Sequence, residues 1–190
     1  MTTPTPADLS LIEYRLHAVA IGHFALKQVV AWDETPSIEI FFDGLQVIEG
    51  KATAFTNGAI EAAIVHSRAL LEFLGLGGMG PTKLRELTGT RRTDDTGVEK
   101  FSKLTMLSIS DAVRSDSGSP AEAEEALAYV IYLANKGLAH TTSSFTKHDQ
   151  GSVLLEIAFL AVPTLVINRF YVPLQIEPPK YELPGRKRLA

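Results

Sequence analysis

The chain has 190 residues, of which 45% are hydrophobic and 21% charged, with a formal net charge of −4 and no cysteine. This length suits one domain with a full hydrophobic core, and the composition is that of an ordinary globular chain. The lack of cysteine excludes disulfides, thiolate catalysis and cysteine-ligated metal sites. The negative net charge provides no general basic field for nucleic acid, so composition carries no DNA signal.

The apolar and charged segments bear on where the protein works. Residues 1–6 lack the positive and apolar regions of a secretory signal, and a chain without cysteine fits a reducing compartment, so we expect a cytoplasmic protein. The most apolar stretch, Val153–Val172, is interrupted by Glu156, Pro163 and Arg169. We therefore expect a buried helix there, and no membrane partner.

Hydrophobic periodicity and capping residues predict helices along most of the chain. The first follows a Thr-Pro start, the second ends at a cluster of glycines, and the last is apolar on nearly every face. The stretches with helical character are, approximately, Thr5–Trp32, Ala52–Leu74, Val98–Arg114, Ser119–Thr142 and Ser152–Val172.

The fourth of these helices has the clearest pattern. Ser119 and Glu122 are placed to form a capping box, in which the Ser119 hydroxyl accepts from the amide of Glu122 and the Glu122 carboxylate accepts from the amide of Ser119. A flanking stripe at helical spacing ends in Lys136 and His140, two titratable groups, and is the place to look for chemistry. The stripe predicted to face the core consists of Leu127, Val130, Ile131, Ala134 and Leu138.

Two connecting segments have no clear helical pattern. Ile38–Phe42 has extended character, but it is too short to found a sheet, and periodicity does not separate it from a helical turn. Lys83–Gly97 is the most basic interior stretch, and it is either a solvated connection or a ligand-facing flap. The expected fold is all-α. Residues 1–175 form a single-domain bundle of four to five helices that contains a long central loop, and residues 176–190 form an extended basic C-terminal tail.

The standard catalytic and metal-binding motifs are absent from the sequence. There is no Glu-x-x-His, no His-Glu-x-x-His and no nucleophile elbow. The five histidines do not place two on one face of one helix, so neither a metal nor a cofactor is expected. What remains is Asn135–His140, in which Asn135 and His140 near a helix end can both face a groove between helices.

At this point the sequence resembles the HEPN family (higher eukaryotes and prokaryotes nucleotide-binding proteins). The resemblance rests on Ile64–Leu74, on the acidic pair Asp94-Asp95 and on Asn135–Thr142, which reads Asn-Lys-Gly-Leu-Ala-His-Thr-Thr. It covers about residues 60–170. It implies a four-to-five-helix bundle, often a homodimer, in toxin–antitoxin or defence systems, and its active members are metal-independent RNases.

The resemblance also assigns roles to residues. His140 and Asn135 match the catalytic motif, whereas the position of the motif arginine falls on Ala134. RNA cleavage needs a proton carrier, which a histidine supplies, and a cation that stabilises the charged phosphorane, which arginine supplies bidentately. Lys136 and Arg68 are the candidate ligand-binding cations in its place.

We therefore expect a degenerate, non-catalytic HEPN-like protein that binds RNA, a nucleotide or a protein partner at the groove near Asn135 and His140. Two alternatives stay open. One is an active metal-independent RNase that uses His140 as general acid and base. The other is a purely structural or scaffolding bundle, in which His140 caps the C-terminus of a helix. The sequence does not decide whether the chain is an enzyme.

Overall fold

The computed structural model describes residues 2–88, 91, 95–101, 104–114, 119–138 and 150–180. Within these ranges the chain is mostly helical, with two short antiparallel hairpins. The elements are α1 (Pro6–Ala31), β1 (Ser37–Phe42), β2 (Leu45–Lys51), α2 (Thr53–Leu74), β3 (Leu76–Gly78), β4 (Leu84–Glu86), α3 (Ile109–Ala112), α4 (Pro120–Tyr132), α5 (Gly151–Val166) and α6 (Val172–Leu174).

The ends of the long helices follow the predicted caps. The amide of Asp8 donates to the Thr5 hydroxyl at 3.2 Å, and the Thr5 amide donates to the Asp8 carboxylate at 2.8 Å, which forms a capping box on α1. α2 ends because Gly75 adopts a left-handed φ of 99°. α4 begins after Ser119, whose hydroxyl accepts from the Glu122 amide at 3.2 Å. The predicted caps at Thr5 and Gly75 are confirmed, and at Ser119 the structure shows one of the two hydrogen bonds of the predicted capping box.

The prediction of an all-α fold is confirmed only in part: the described residues are mostly helical, but β1 and β2 form one hairpin and β3 and β4 form a second. Asp43 and Gly44 connect β1 to β2, and both have positive φ, 50° and 83°. Such a two-residue turn matches the right-handed twist of the strands on either side. The stretch Ile38–Phe42, which periodicity leaves undecided, therefore forms a strand, and the predicted central loop Lys83–Gly97 contains β4.

The single helix predicted over Val98–Arg114 is wrong, because the backbone is extended at Phe101 and at Ser108. Among the residues described there, Val98–Lys100 forms one turn of 3₁₀-helix, and the short helix α3 follows later. The hydroxyl of Ser108 caps α3, and the backbone amide of Leu107 donates to the carbonyl of Leu74 at 2.8 Å instead of to its own helix. Serine side chains compete for backbone groups and favour such breaks.

One hydrophobic core joins the helices, and the stripe predicted on α4 belongs to it. Gly22 on α1 lies so close to Ala63 on α2 that a Cβ at Gly22 would overlap the Ala63 methyl group. This close approach fixes the position of α1 against α2. Of the predicted stripe, four residues are buried and Leu138 is partly buried against the core; the four are Leu127, Val130, Ile131 and Ala134.

The last helical stretch confirms the prediction of an apolar helix that contains Pro163. It runs through α5, a π-helical turn at Ile167–Tyr171 and α6. Among the described residues, Gly151–Leu174 is the one helix long and apolar enough to cross a membrane, with a mean hydropathy of 1.8. Half of its most apolar window is buried inside the protein, and a core helix passes the same test of length and composition.

Candidate functional site

A cavity of about 680 Å³ opens between α1, the end of α2 and the segment that follows β4. Its volume falls within the range of about 300–1,000 Å³ that is typical of small-molecule sites. Both signs of charge line it. The charged residues are Arg15, Arg68, Arg91, Asp8, Glu72 and Asp95.

Arg91 holds the end of α2. Its Nη2 donates to the carbonyl of Glu72 at 2.7 Å, and its Nε donates to the carboxylate of Glu99 at 2.6 Å. The last carbonyls of a helix lack partners within the helix, so an arginine there supplies both donors and a favourable charge. Gly97 leaves room for this pair, because a Cβ at Gly97 would overlap the side chains of Arg91 and Glu99. The hydrogen bonds of Arg91 therefore stabilise the fold, and these donors are not available to a ligand.

Arg68 has an unused hydrogen-bond donor. Its Nη2 donates to the carboxylate of Glu72 at 2.9 Å, the pairing of residues four apart that a helix allows. Its Nε is buried and has no hydrogen-bond partner among the described residues. An unsatisfied buried donor costs about 1–3 kcal/mol. A ligand oxygen within reach of this atom would remove that cost.

Arg15 brings a positive charge that no acid neutralises within the described ranges. Its Nη1 lies 3.1 Å from Nδ1 of His66. Because arginine can only donate, Nδ1 accepts, and the proton of the neutral ring lies on Nε2. Burial, followed by the charge of Arg15, lowers the pKa of His66 below its ordinary value of 6.5. The ring is therefore neutral at pH 7, and the charge of Arg15 is available to an anion.

The acids in the lining are placed to accept hydrogen bonds. Hydrogen bonds from the Thr5 hydroxyl and amide lower the pKa of Asp8, which keeps it ionised near neutral pH. Ionised carboxylates accept from hydroxyl and amino groups. The cavity therefore suits a ligand that combines an anionic group with neutral donors better than it suits a bare anion.

Of the predicted site residues, Arg68 lines the cavity. Asn135 and Lys136 are exposed on a π-helical turn, Leu133–Gly137, which continues α4, and they do not line it. His140 lies outside the described residues, so the groove predicted near Asn135 and His140 stays a prediction. The structure does not bring Arg68 together with Asn135 or Lys136 in this cavity.

The flanking stripe that ends in Lys136 and His140 begins with Tyr129 and Leu133, and these two residues lie in the hydrophobic core. Tyr129 and Leu133 are buried, and Ala134 is 8% exposed within the hydrophobic core. Ala134 is the residue to which the HEPN resemblance assigns the position of the motif arginine. This position therefore faces the interior, and the cations that line the cavity come from other elements.

Arg15, its partner His66 and Arg91 are among the residues of the site that the sequence-based prediction missed. Arg15 is one of several polar residues of α1, and its distance along the chain from His66 gives no signal of contact. Arg91 lies within the basic segment Lys83–Gly97, for which a ligand-facing flap is one of the two interpretations. That segment contributes Leu87, Thr88, Arg91, Asp95 and Thr96 to the lining.

The described residues contain no group of three or more His, Cys, Asp or Glu side chains that could hold a metal ion. Comparisons of the chain with protein-family models, curated proteins and solved structures return no match. The HEPN resemblance therefore rests on the sequence motifs alone, and the function has to be argued from the cavity.

Proposed function

We propose that this chain is a HEPN-like, non-catalytic protein that binds a nucleotide, or the terminal nucleotide of an RNA, in the arginine-lined cavity. The observation that carries the proposal is Arg15, a cation that lines a nucleotide-sized cavity and pairs with a neutral histidine. The proposal includes a cytoplasmic location. It also includes a helical-bundle architecture, in which the four long helices form the bundle and the two hairpins are additions to it.

The chemistry of the lining supports a phosphorylated ligand. A phosphate group offers several anionic oxygens, which the planar fork of arginine binds more specifically than lysine does. Arg15 and the unused Nε of Arg68 are the donors for these oxygens. Asp8 and Asp95 are acceptors for the amino groups of a base or the hydroxyls of a ribose.

The backbone conformation at Asn135, Lys136 and Gly137 favours a second location for the ligand. Leu133–Gly137 is π-helical, and such turns recur at functional sites in helices. Asn135 and Lys136 are both exposed there. The competing proposal is therefore that RNA, a nucleotide or a protein partner binds near Asn135 and His140.

Isothermal titration with AMP, ADP and a short 5′-phosphorylated RNA tests the proposal. Loss of one charge-assisted hydrogen bond of about 1.5–3 kcal/mol predicts roughly 10- to 150-fold weaker binding for Arg15→Gln. Arg114→Gln is the matched control, because Arg114 is 78% exposed, pairs with Asp111 and does not line the cavity. The control should bind like the wild type.

Two outcomes would overturn the proposal. If the wild type binds none of the three ligands, the cavity is not a nucleotide site. If Lys136→Gln abolishes binding while Arg15→Gln leaves it unchanged, the ligand belongs to the segment near Asn135, which is the competing location.

A further inference from the structure

One lining cation of the cavity has no acidic partner. Arg68 pairs with the carboxylate of Glu72 at 2.9 Å. Arg91 pairs with the carboxylate of Glu99 at 2.6 Å. Within the described ranges this leaves Arg15, whose Nη1 contacts a neutral histidine ring instead of an acid. The described lining therefore has one unpaired positive charge to offer to an anionic group.

Arg68 adds a hydrogen-bond donor to that charge. Its Nε is buried without a partner in the described part of the chain, although Glu72 already neutralises the same guanidinium. Arg15 and this Nε line the same cavity, and together they offer donors to the oxygens of one phosphate group. A second phosphate group would find no further unpaired arginine among the described lining residues.

Two acids of the lining lack an ion pair. In the part of the chain that the structure describes, neither Asp8 nor Asp95 forms a salt bridge. Asp8 is held in place, because its Oδ2 accepts from the Thr5 amide at 2.8 Å and from the Thr5 hydroxyl at 2.7 Å. The charge of Lys100 also lowers the pKa of Asp8, but less than these hydrogen bonds do, so Lys100 is a weak counterion. An anion in the cavity therefore meets two acidic side chains that no described cation pairs with.

Each further phosphate group on a ligand adds negative charge that the lining does not balance. The three arginines and three acids of the lining sum to no net charge. A phosphate monoester already carries a charge of about −1.5 to −2 at pH 7. Like charges repel more strongly in a partly buried site, where the effective dielectric constant is low, than in bulk water. The lining therefore disfavours a di- or triphosphate relative to a monophosphate.

We propose that the cavity selects a single terminal phosphate group: it binds a 5′-monophosphate, of a free nucleotide or of an RNA end, while Asp8 and Asp95 repel di- and triphosphates. This inference rests on the proposed nucleotide site and names the class of ligand within it. At about 6 Å from a carboxylate, with an effective dielectric constant between about 20 and 80, one further negative charge weakens binding by roughly 3- to 100-fold. Because salt screens part of this repulsion, we expect a difference of about 10-fold between AMP and ADP.

Isothermal titration of the full chain with AMP, ADP and ATP tests the selectivity. EDTA is present, so that no metal ion neutralises the phosphate groups of the ligands. We expect AMP to bind most tightly, ADP about 10-fold more weakly and ATP more weakly still. Short RNAs with a 5′-monophosphate, a 5′-triphosphate or a 5′-hydroxyl should follow the same rule, with the monophosphate binding best. Tighter binding of the 5′-monophosphate RNA than of AMP would identify an RNA end as the source of the phosphate, and the reverse order would identify a free nucleotide.

Asp95→Asn tests the role of the acids, because it removes the charge of an exposed side chain and nearly keeps its shape. Asp43→Asn is the matched control. It removes the same charge from the turn between β1 and β2, which does not line the cavity, and asparagine tolerates the positive φ of that position. The ratio of the ADP and AMP dissociation constants should fall by about 3-fold or more in Asp95→Asn and stay at the wild-type value in Asp43→Asn.

Two results would overturn the inference and leave the nucleotide site in place. ADP or ATP that binds as tightly as AMP would show that the cavity does not discriminate by the number of phosphate groups. A ratio that Asp95→Asn leaves unchanged would show that the acids are not the cause. If none of the nucleotides or RNAs binds, the proposed nucleotide site itself is refuted, and the selectivity with it.

Discussion

Replacing Arg91 with lysine separates the geometry of this arginine from its charge. The guanidinium bridges two partners, the carboxylate of Glu99 at 2.6 Å and the carbonyl of Glu72 at 2.7 Å. A lysine ammonium is a single point of donors and cannot keep both contacts. The arginine side chain is 15% exposed, so water replaces the lost partner poorly. At about 1.5–3 kcal/mol per charge-assisted hydrogen bond, plus the cost of a half-buried group left unpaired, we expect a loss of roughly 2–4 kcal/mol.

Urea unfolding of the wild type and the variant measures this loss directly. For a chain of this size, about 1 kcal/mol corresponds to roughly 2–4 °C, so the melting temperature should fall by about 4–16 °C. Arg114→Lys is the control, since Arg114 is 78% exposed and its pair with Asp111 should contribute less than about 1 kcal/mol. An Arg91→Lys variant within about 0.5 kcal/mol of the wild type would refute the idea that Arg91 anchors the end of α2.

The packing around Gly97, the burial of Ala134 and the partly buried histidines give three more predictions. Gly97→Ala should destabilise the protein by about 1–3 kcal/mol in urea unfolding, because the new Cβ overlaps the Arg91–Glu99 pair. Gly58→Ala is the control, and it should be neutral or stabilising because Gly58 has open space around it in α2. A Gly58→Ala variant less stable than Gly97→Ala would contradict this packing. Ala134→Arg should lower the free energy of unfolding by about 3 kcal/mol or more, because it buries a charge in the core. Neither this variant nor the wild type should cleave RNA without metal. Wild-type RNase activity that His140→Ala abolishes would contradict this. Lowering the pH from about 7.5 to 5.5 should lower the melting temperature. Burial lowers the pKa of His23 and His66 in the folded protein, so the unfolded chain binds more protons below about pH 6.5. His66→Phe should make the melting temperature depend less on pH, and an unchanged slope would count against a neutral His66.

The helix ends of the fold were predictable because their signals are local. Thr5 and Ser119 cap helices through contacts three residues away, and Gly75 ends α2 through its own backbone angle. The Asp43-Gly44 turn was equally local, and reading it together with the apolar alternation on both sides would have predicted the first hairpin.

The helix predicted over Val98–Arg114 failed for a different reason. Its apolar residues do recur, but they contact the core from irregular backbone, and the amide of Leu107 pairs with Leu74 of α2. Such pairing depends on tertiary contacts that periodicity does not contain. The same limit applies to the site. Arg68 was predicted from a motif. Arg15 and Arg91 reach the cavity only because α1 and the segment after β4 pack against α2.

Hydrogen exchange of the wild-type protein with and without AMP tests the central claim most directly. If the arginine-lined cavity binds the nucleotide, amides in Asp8–Arg15 of α1 and Arg68–Phe73 of α2 should exchange more slowly when AMP is bound. Leu133–Leu138 should be unaffected. Protection confined to Leu133–Leu138, or no protection in any segment at saturating AMP, would contradict the account.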